Sequence, residues 1–432
     1  MSARAGRTRI RVELPFPSLL PPIAHQVLGL RNLAFRAGSA RRHVTTVADT
    51  ADFRLVRAGV VLIHRSDPDG DEWGLAAANW LGLDGERTRA SDGTATVPPE
   101  WDEILAPLRR HAPLSPVATL QVERQDFQIR GDSGNEMGIL SDAKVTIRRG
   151  GVITARFREI TVRAGKKSLN PDQLAWIEQT LVEAGGTSVT VFPSLARRLG
   201  APATNETDFP DPERMSSGWF DQFVAREIAT ALRQVVVSTD PQPVADLSRR
   251  IGLLEPALDP QWAAGLRSTL DSYVDSGQDQ TRRLGLIDLL VADVRAPQIL
   301  DSWPTDSDAA IERLRGLALT RVEQAVGGLT TDAPEQAWQD AAAAIGPAEE
   351  LVVTFARGGR DRKRAKKLRK LGRRLADCVD SDGERLRAQV TTATVDEAFA
   401  LGREFERVHA DVERRRERLL EELDDVMDEV RS

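Results

Sequence analysis

Between Arg357 and Arg374 stand eleven lysines and arginines against one acid, Asp361, in a chain whose net charge is −6. Cations at that density suit phosphate oxygens and carboxylates. On a helix, Arg362, Lys366, Arg369 and Arg373 line one flank at steps of four, three and four, and Lys363, Lys367, Lys370 and Arg374 line the adjacent flank. Leu368, Leu371, Leu375 and Val379 form an apolar stripe that would dock the helix onto a bundle. Like charges at those spacings cost roughly 0.2–0.5 kcal/mol per pair. A polyanion would relieve that repulsion, whereas a solvated face gains nothing from it. The bland alternative is a basic helix answered by acids elsewhere, such as Glu421, Glu422, Asp424 and Asp425.

Other chemistries find little support. Histidines 25, 43, 64, 111 and 409 are scattered, none with a second ligand at a zinc-like spacing. Cys378 is the single cysteine, so neither an intrachain disulfide nor a thiolate metal site is available. There is no serine-hydrolase elbow. Gly165-Lys166-Lys167-Ser168 mimics the end of a phosphate loop, but Ile160 stands where that motif needs glycine. No aromatic residues interleave with the basic helix to stack bases, which makes nucleic acid the weaker polyanion.

The elements that must position these residues fall into two halves. At 432 residues, with 41% hydrophobic and 29% charged, the composition suits a globular protein of two or three domains. Prolines 15, 17, 21 and 22 break the apolar stretch from Leu14 to Leu30, so it is not read as a signal peptide. No run of about 18 apolar residues exists, so no membrane span is expected and the location is read as cytoplasmic. From Arg9 to about Arg163, short runs predict strands: Val60 to Ile63, Val117 to Ile129, Lys144 to Arg148 and Arg156 to Val162. Turns are expected at Asp67-Pro68-Asp69-Gly70, Asp92-Gly93, Asp132-Ser133-Gly134 and Gly150-Gly151. Helices are predicted over Glu100 to Arg110 and Asn170 to Glu183, the latter with Asn170-Pro171 as cap and first position.

Pro202, Pro210 and Pro212 lie among small polar residues in a stretch that reads as a linker, 201–217. Beyond it helical periodicity covers Trp219 to Val236, Gln261 to Val274, Gln280 to Val294, Asp308 to Val326, Ala333 to Ile345, Arg362 to Val379 and Thr394 onward. The last helix carries apolar residues at 405, 408, 412, 419, 423, 426 and 430, with Arg415 and Arg416 interrupting the seam. Such a seam is ordinarily bundle core; a protein partner or self-association through 405–430 is its other use. The fold class expected is α+β, an antiparallel β-barrel-like domain (1–200) followed by an all-α bundle (218–432).

The sequence resembles the bacterial proteins that join a CYTH domain, the triphosphate tunnel metalloenzyme fold, to a helical CHAD domain. Val47 to Leu62, with Asp49-Thr50-Ala51-Asp52-Phe53, Leu55 and Gly59, resembles the CYTH pattern of Asp-Thr followed by Leu and Gly. Phe157-Arg158-Glu159 resembles its late Trp-Arg-Glu strand, and Ser194-Leu195-Ala196-Arg197-Arg198-Leu199-Gly200 its closing segment. Asp259-Pro260-Gln261-Trp262-Ala263 and Lys366 to Leu375 look like stretches of CHAD, a module whose resemblance implies polyphosphate binding.

The departures are chemical. CYTH enzymes open with Glu-x-Glu-x-Lys, whose acids hold divalent metal; the aligned residues here are Arg9, Arg11 and Glu13. Ile63 stands where a phosphate-binding Arg is usual, although Arg65 remains, and Ala76 replaces a Lys. Ile139, Thr161 and Arg163 stand where acids are common, leaving Glu159 and Asp142. A hard cation needs carboxylates and phosphate oxygens, so this set implies loss of metal and of the charge neutralisation that phosphoryl chemistry requires. In the CHAD-like half one family histidine aligns with Ala245, beside Asp246 and Ser248 where bases are missing, and the other with Lys366, which still carries positive charge.

The expectation is therefore a non-catalytic binder of polyphosphate or another polyanion through Arg362, Lys363, Lys366, Lys367, Arg369, Lys370, Arg373 and Arg374. Arg65, Arg124, Asp142 and Glu159 would be a residual tunnel. No catalytic residue, metal ligand or cofactor is assigned; Mg²⁺ or Mn²⁺ would enter only if the sheet half were a divergent triphosphatase. A scaffold with relic sites is the remaining alternative.

Overall fold

The computed structural model describes residues 9–431 apart from 69, 81, 84–85, 92, 94–95, 166–168, 276–278 and 357. Asp69 and Asp92 of the expected turns, the loop residues Lys166, Lys167 and Ser168, and Arg357 lie outside the described residues, as does the side chain of Arg9. Two compact units are distinguished. The first comprises Met1–Asp211, Leu232–Asp240 and Asp279–Val291; the second comprises Pro212–Ala231, Pro241–Gln278 and Ala292–Ser432.

The architecture is α+β, an antiparallel sheet region followed by helices. The strands are β1 (Arg9–Leu14), β2 (Ala34–Phe35), β3 (Arg41–Asp49), β4 (Val61–Asp67), β5 (Gly70–Ala76), β6 (Glu86–Ala90), β7 (Ser115–Arg130), β8 (Glu136–Arg149), β9 (Val152–Ala164) and β10 (Thr187–Ser188). All pairings are antiparallel. The order is β10-β1-β9-β8-β7-β3-β4-β5-β6, with β2 on β7. Gly150 and Gly151 turn β8 into β9 with φ of 53° and 82°, a left-handed backbone that disfavours side chains. Strands β7, β8 and β9 extend beyond the short alternating runs read from the sequence; added segments such as Met137 to Ser141 and Val152 to Ala155 do not alternate cleanly and are held as strand by pairing with their neighbours.

Side chains alternate across a strand, so pairing register assigns faces. On one face Ile10, Val12, Leu14, Leu140, Ile160 and Val162 pack with Ile177 and Leu181. The last two lie on helix Pro171–Glu183, whose start is fixed by a capping box between Asn170 and Gln173. On the opposite face Val47, Val145 and Ile147 pack with Phe53 and Leu199. Leu199 comes from the short helix Leu195–Leu199, so the segment that resembles a domain closure fills part of that sheet face.

In chain order the helices are α1 (Arg54–Arg57), α2 (Pro99–Arg109), α3 (Pro171–Glu183), α4 (Leu195–Leu199), α5 (Phe220–Val237), α6 (Gln242–Leu254), α7 (Pro260–Asp275), α8 (Gln280–Arg295), α9 (Ser307–Gly327), α10 (Glu335–Thr354), α11 (Gly359–Ala376), α12 (Ser381–Val390) and α13 (Val395–Arg431). No helix among the described residues is long and apolar enough to cross a membrane. In the second unit α9, α10, α11 and α13 share one core built from Val322, Trp338, Ile345, Leu368, Leu371, Leu375, Leu419 and Leu423. Gly372 permits the close approach of α10, since a Cβ there would meet Ile345 Cγ2 at 3.0 Å.

The seam of α13 is used within this core. Val412, Leu419, Leu423, Met427 and Val430 are buried. Arg416 is buried with them rather than breaking the seam. Its Nε donates to the Cys378 carbonyl at 3.0 Å, another of its nitrogens binds Glu335, and its guanidinium lies 4.9 Å from the Trp338 ring centroid.

Candidate functional site

The motif Asp49-Thr50-Ala51-Asp52 is structural. Asp49 is fully buried and accepts from the backbone N–H groups of Thr50 at 2.6 Å and of Leu55 and Val56 at 2.9 Å each. It thereby satisfies the orphan donors at the start of α1. Burial pushes the Asp49 carboxyl above the usual carboxylate range, although those N–H groups pull the other way.

The residual-tunnel residues separate onto two faces. Register pairs Ala143 with Glu159 and with Arg124, and places Asp142 opposite Ile160. Arg65, Arg124 and Glu159 therefore share a face, and Asp142 stands on the other. On its own face Asp142 is held by Arg158 at 2.8 Å and 2.6 Å, a two-pronged pair in which both residues are buried. On the shared face Glu13 lies opposite Glu159, and both carboxylates bind Arg198 of α4, Glu159 at 3.0 Å. The Arg198 guanidinium also sits 3.9 Å from the centroid of the Phe157 ring. Burial raises the Glu159 carboxyl above its ordinary range against the opposing pull of Arg198. Arg65 pairs with Glu72 at 2.7 Å and Arg124 with Asp126 at 3.2 Å. Burial, then Arg65, and less strongly Arg124, hold the His43 imidazole below its ordinary value, with Asp67 opposing.

These carboxylates do not fit a divalent cation. Arginines engage Glu13 Oε1, Glu159 Oε1 and both oxygens of Asp142, and one of the three carboxylates faces away from the others. Among the described residues no group of three or more His, Cys, Asp or Glu could hold a metal ion.

The basic helix is different. In α11 the buried positions are Asp361, Ala365, Leu368, Leu371 and Leu375. Asp361, the sole acid of the run, thus faces inward, where it accepts from Arg315 of α9 at 3.0 Å. The helix contacts α10 on one side and α13 on the other. Its flanks are tied to those neighbours: Arg369 to Glu349 of α10 at 2.6 Å, Arg374 to Glu422 of α13 at 2.9 Å, and Arg364 Nε to the Val430 carbonyl at 3.1 Å. Lys367 is also partnered.

The crest between the flanks has no such partners. Arg362, Lys363, Lys366, Lys370 and Arg373 are exposed, and none makes an ion pair among the described residues. At 3.6 residues per turn and 1.5 Å rise they lie within an arc of about 100° and span about 16 Å of helix. Of the four C-terminal acids expected to answer them, only Glu422 reaches α11; Glu421, Asp424 and Asp425 make no ion pair among the described residues. Both rows read from the sequence thus contribute to the crest, and each row gives one or two members to the flanks.

Sequence reasoning missed the partners. Arg158, Arg198, Glu349 and Arg315 had drawn no attention as the groups that neutralise the candidate acids and bases. Arg198 carried a signal, since it lies in the segment read as a domain closure.

No family model matches this chain, and no curated protein matches it. Solved structures do show similarity. One is a provisionally assigned adenylate cyclase from Bacillus halodurans, 15% identical, covering 38% of this chain and 86% of that one at a TM-score of 0.23. A second is a provisional adenylyl cyclase from Hippeastrum with a dominant triphosphatase activity, 16% identical over 43% of this chain and 91% of that one, TM-score 0.25. A third is the PH1819 protein of Pyrococcus horikoshii, 12% identical over 43% and 91% of the two chains, TM-score 0.22. TM-scores this low assign no function to this chain.

Proposed function

We propose that this protein binds polyphosphate, or a polyanion of like charge density, along the crest of α11. In this reading a CHAD-like helical half supplies the ligand site and a CYTH-like sheet half has no catalytic role. The supporting observation is the set of five exposed cations, Arg362, Lys363, Lys366, Lys370 and Arg373, without carboxylate partners among the described residues while the run's only acid is buried against Arg315. Unanswered cations at helical spacing repel one another. A chain of phosphates removes that repulsion and releases its own counterions on binding.

Titration of fluorescently labelled polyphosphate at several salt concentrations tests the reading. Neutralising five charges on a single strand gives a slope of log K against log salt of about −3.5. Lys366→Glu combined with Lys370→Glu should lower the affinity at least tenfold, about 1.4 kcal/mol. Unchanged affinity in that double variant overturns the proposal. The competing reading, a divergent triphosphatase, requires phosphate release from tripolyphosphate with Mg²⁺ or Mn²⁺; the engagement of Glu13, Glu159 and Asp142 by arginines argues against it.

A further inference from the structure

The polyanion reading leaves unused a cavity of about 570 Å³ on the sheet face opposite Arg124 and Glu159. Register sets Thr46, His64 and Trp73 side by side across β3, β4 and β5, and these residues with Ala48 line its floor. The volume falls in the range of small-molecule sites, roughly 300–1,000 Å³. Pro99, Pro113 and Pro116 also line it. Proline walls are already ordered, so closing them around a ligand costs little conformational entropy.

The charges in the cavity cancel. Arg109 gives one nitrogen to Asp102 at 2.9 Å and another to the carbonyls of Arg110 and Ala112 at 3.1 Å and 3.2 Å. His111 at the rim faces Asp288 at 3.4 Å. Among the described residues Arg109 and His111 of the lining thus already face carboxylates, in contrast to the crest of α11. What remains is aromatic surface and hydrogen-bonding capacity. His64 and Trp73, both buried, lie with ring centroids 5.0 Å apart at 54°. His64 Nε2 is 3.2 Å from Ser91 Oγ, while Nδ1 and the Thr46 hydroxyl have no partner among the described residues.

We propose that this cavity binds a small, uncharged, planar heteroaromatic molecule. Its ring rests against Trp73, His64 and the proline walls, and a ring heteroatom exchanges a hydrogen bond with His64 Nδ1. An aromatic face recovers the apolar and edge-on contacts, and the neutral charge matches a lining whose one internal ion pair is self-satisfied.

The test is saturation-transfer NMR on the full chain with indole and benzimidazole, using myo-inositol as an uncharged, non-planar control. Transfer to both heterocycles and none to inositol is expected. Ser115→Trp, at an exposed rim position, should reduce the signal at least fivefold by blocking the mouth. Thr96→Trp, at a second exposed lining position, should do the same and serves if the first variant fails to fold. His64→Phe keeps the ring and removes the nitrogen; it should weaken benzimidazole about fivefold, the worth of one hydrogen bond. Absence of transfer, equal transfer to inositol, or full signal in both rim variants overturns the proposal.

Discussion

In the sheet unit, charge is spent on the fold. Asp142 meets Arg158, Glu13 and Glu159 share Arg198, and Arg65 meets Glu72. On α11 the same residue types are arranged the other way: the flanks are paired to α10 and α13, and the crest carries five cations that no described carboxylate meets. Both regions are rich in arginine, and in α11 the bases outnumber the acids far more. What distinguishes them is whether a partner stands within reach. A buried paired charge is a structural element whose loss destabilises the fold; an unpaired exposed one is available to a ligand.

That contrast can be broken by experiment. Asp142→Ala leaves Arg158 buried without its partner and should cost roughly 3–5 kcal/mol, read by urea unfolding. Polyphosphate affinity of the folded variant should not change; a parallel loss of affinity would mean that the sheet unit also takes part in binding. Asp49→Ala should cost roughly 2–4 kcal/mol by stranding the N–H groups at the start of α1, again with affinity intact. The crest should behave inversely. Lys366→Gln with Lys370→Gln should weaken polyphosphate binding and yet stabilise the fold, by roughly 0.2–0.5 kcal/mol for each of the like-charged i, i+4 pairs relieved, Arg362/Lys366, Lys366/Lys370 and Lys370/Arg374.

The smallest effect concerns His43. Its pKa in the fold lies below the ordinary histidine value, so the unfolded chain binds the extra proton more readily. Stability should fall as pH drops below about 6.5, the ordinary value. His43→Gln should flatten that part of the profile. In an NMR titration, tripolyphosphate should leave the His43 pKa where it is; an upward shift would mean that the face shared by Arg65 and Arg124 still accepts anions.

Much of this arrangement was legible in the sequence, and the limits of legibility are instructive. The helix through 362–376 and its buried leucines followed from a 3.6-residue period in which apolar and basic residues never exchange faces. Asn170-Pro171 marked the start of α3 because cap chemistry is local. By contrast α6 and α12 were not read: Ser381–Val390 offers few apolar anchors, whereas Gln242–Leu254 carries a helical stripe, Val244, Leu247, Ile251 and Leu254, that the sequence reading missed. Strands β5 and β6 are rich in Gly, Asp, Glu and Arg, and gain strand geometry from pairing rather than propensity. The grouping of Asp142 with Glu159 illustrates the deeper limit. Glu159 lies in an alternating run and Asp142 just before one, but only the register between strands shows that they point in opposite directions.

The crest of α11 is the rounded back of a helix rather than a trench. A phosphate chain laid along it is gripped from beneath, and its upper side keeps its water. If the proposed site holds, a phosphate chain longer than the crest would run past Arg373 and offer its next stretch to another copy. Occupancy should then grow in proportion to ligand length, as beads fill a string, instead of stopping at one protein per molecule.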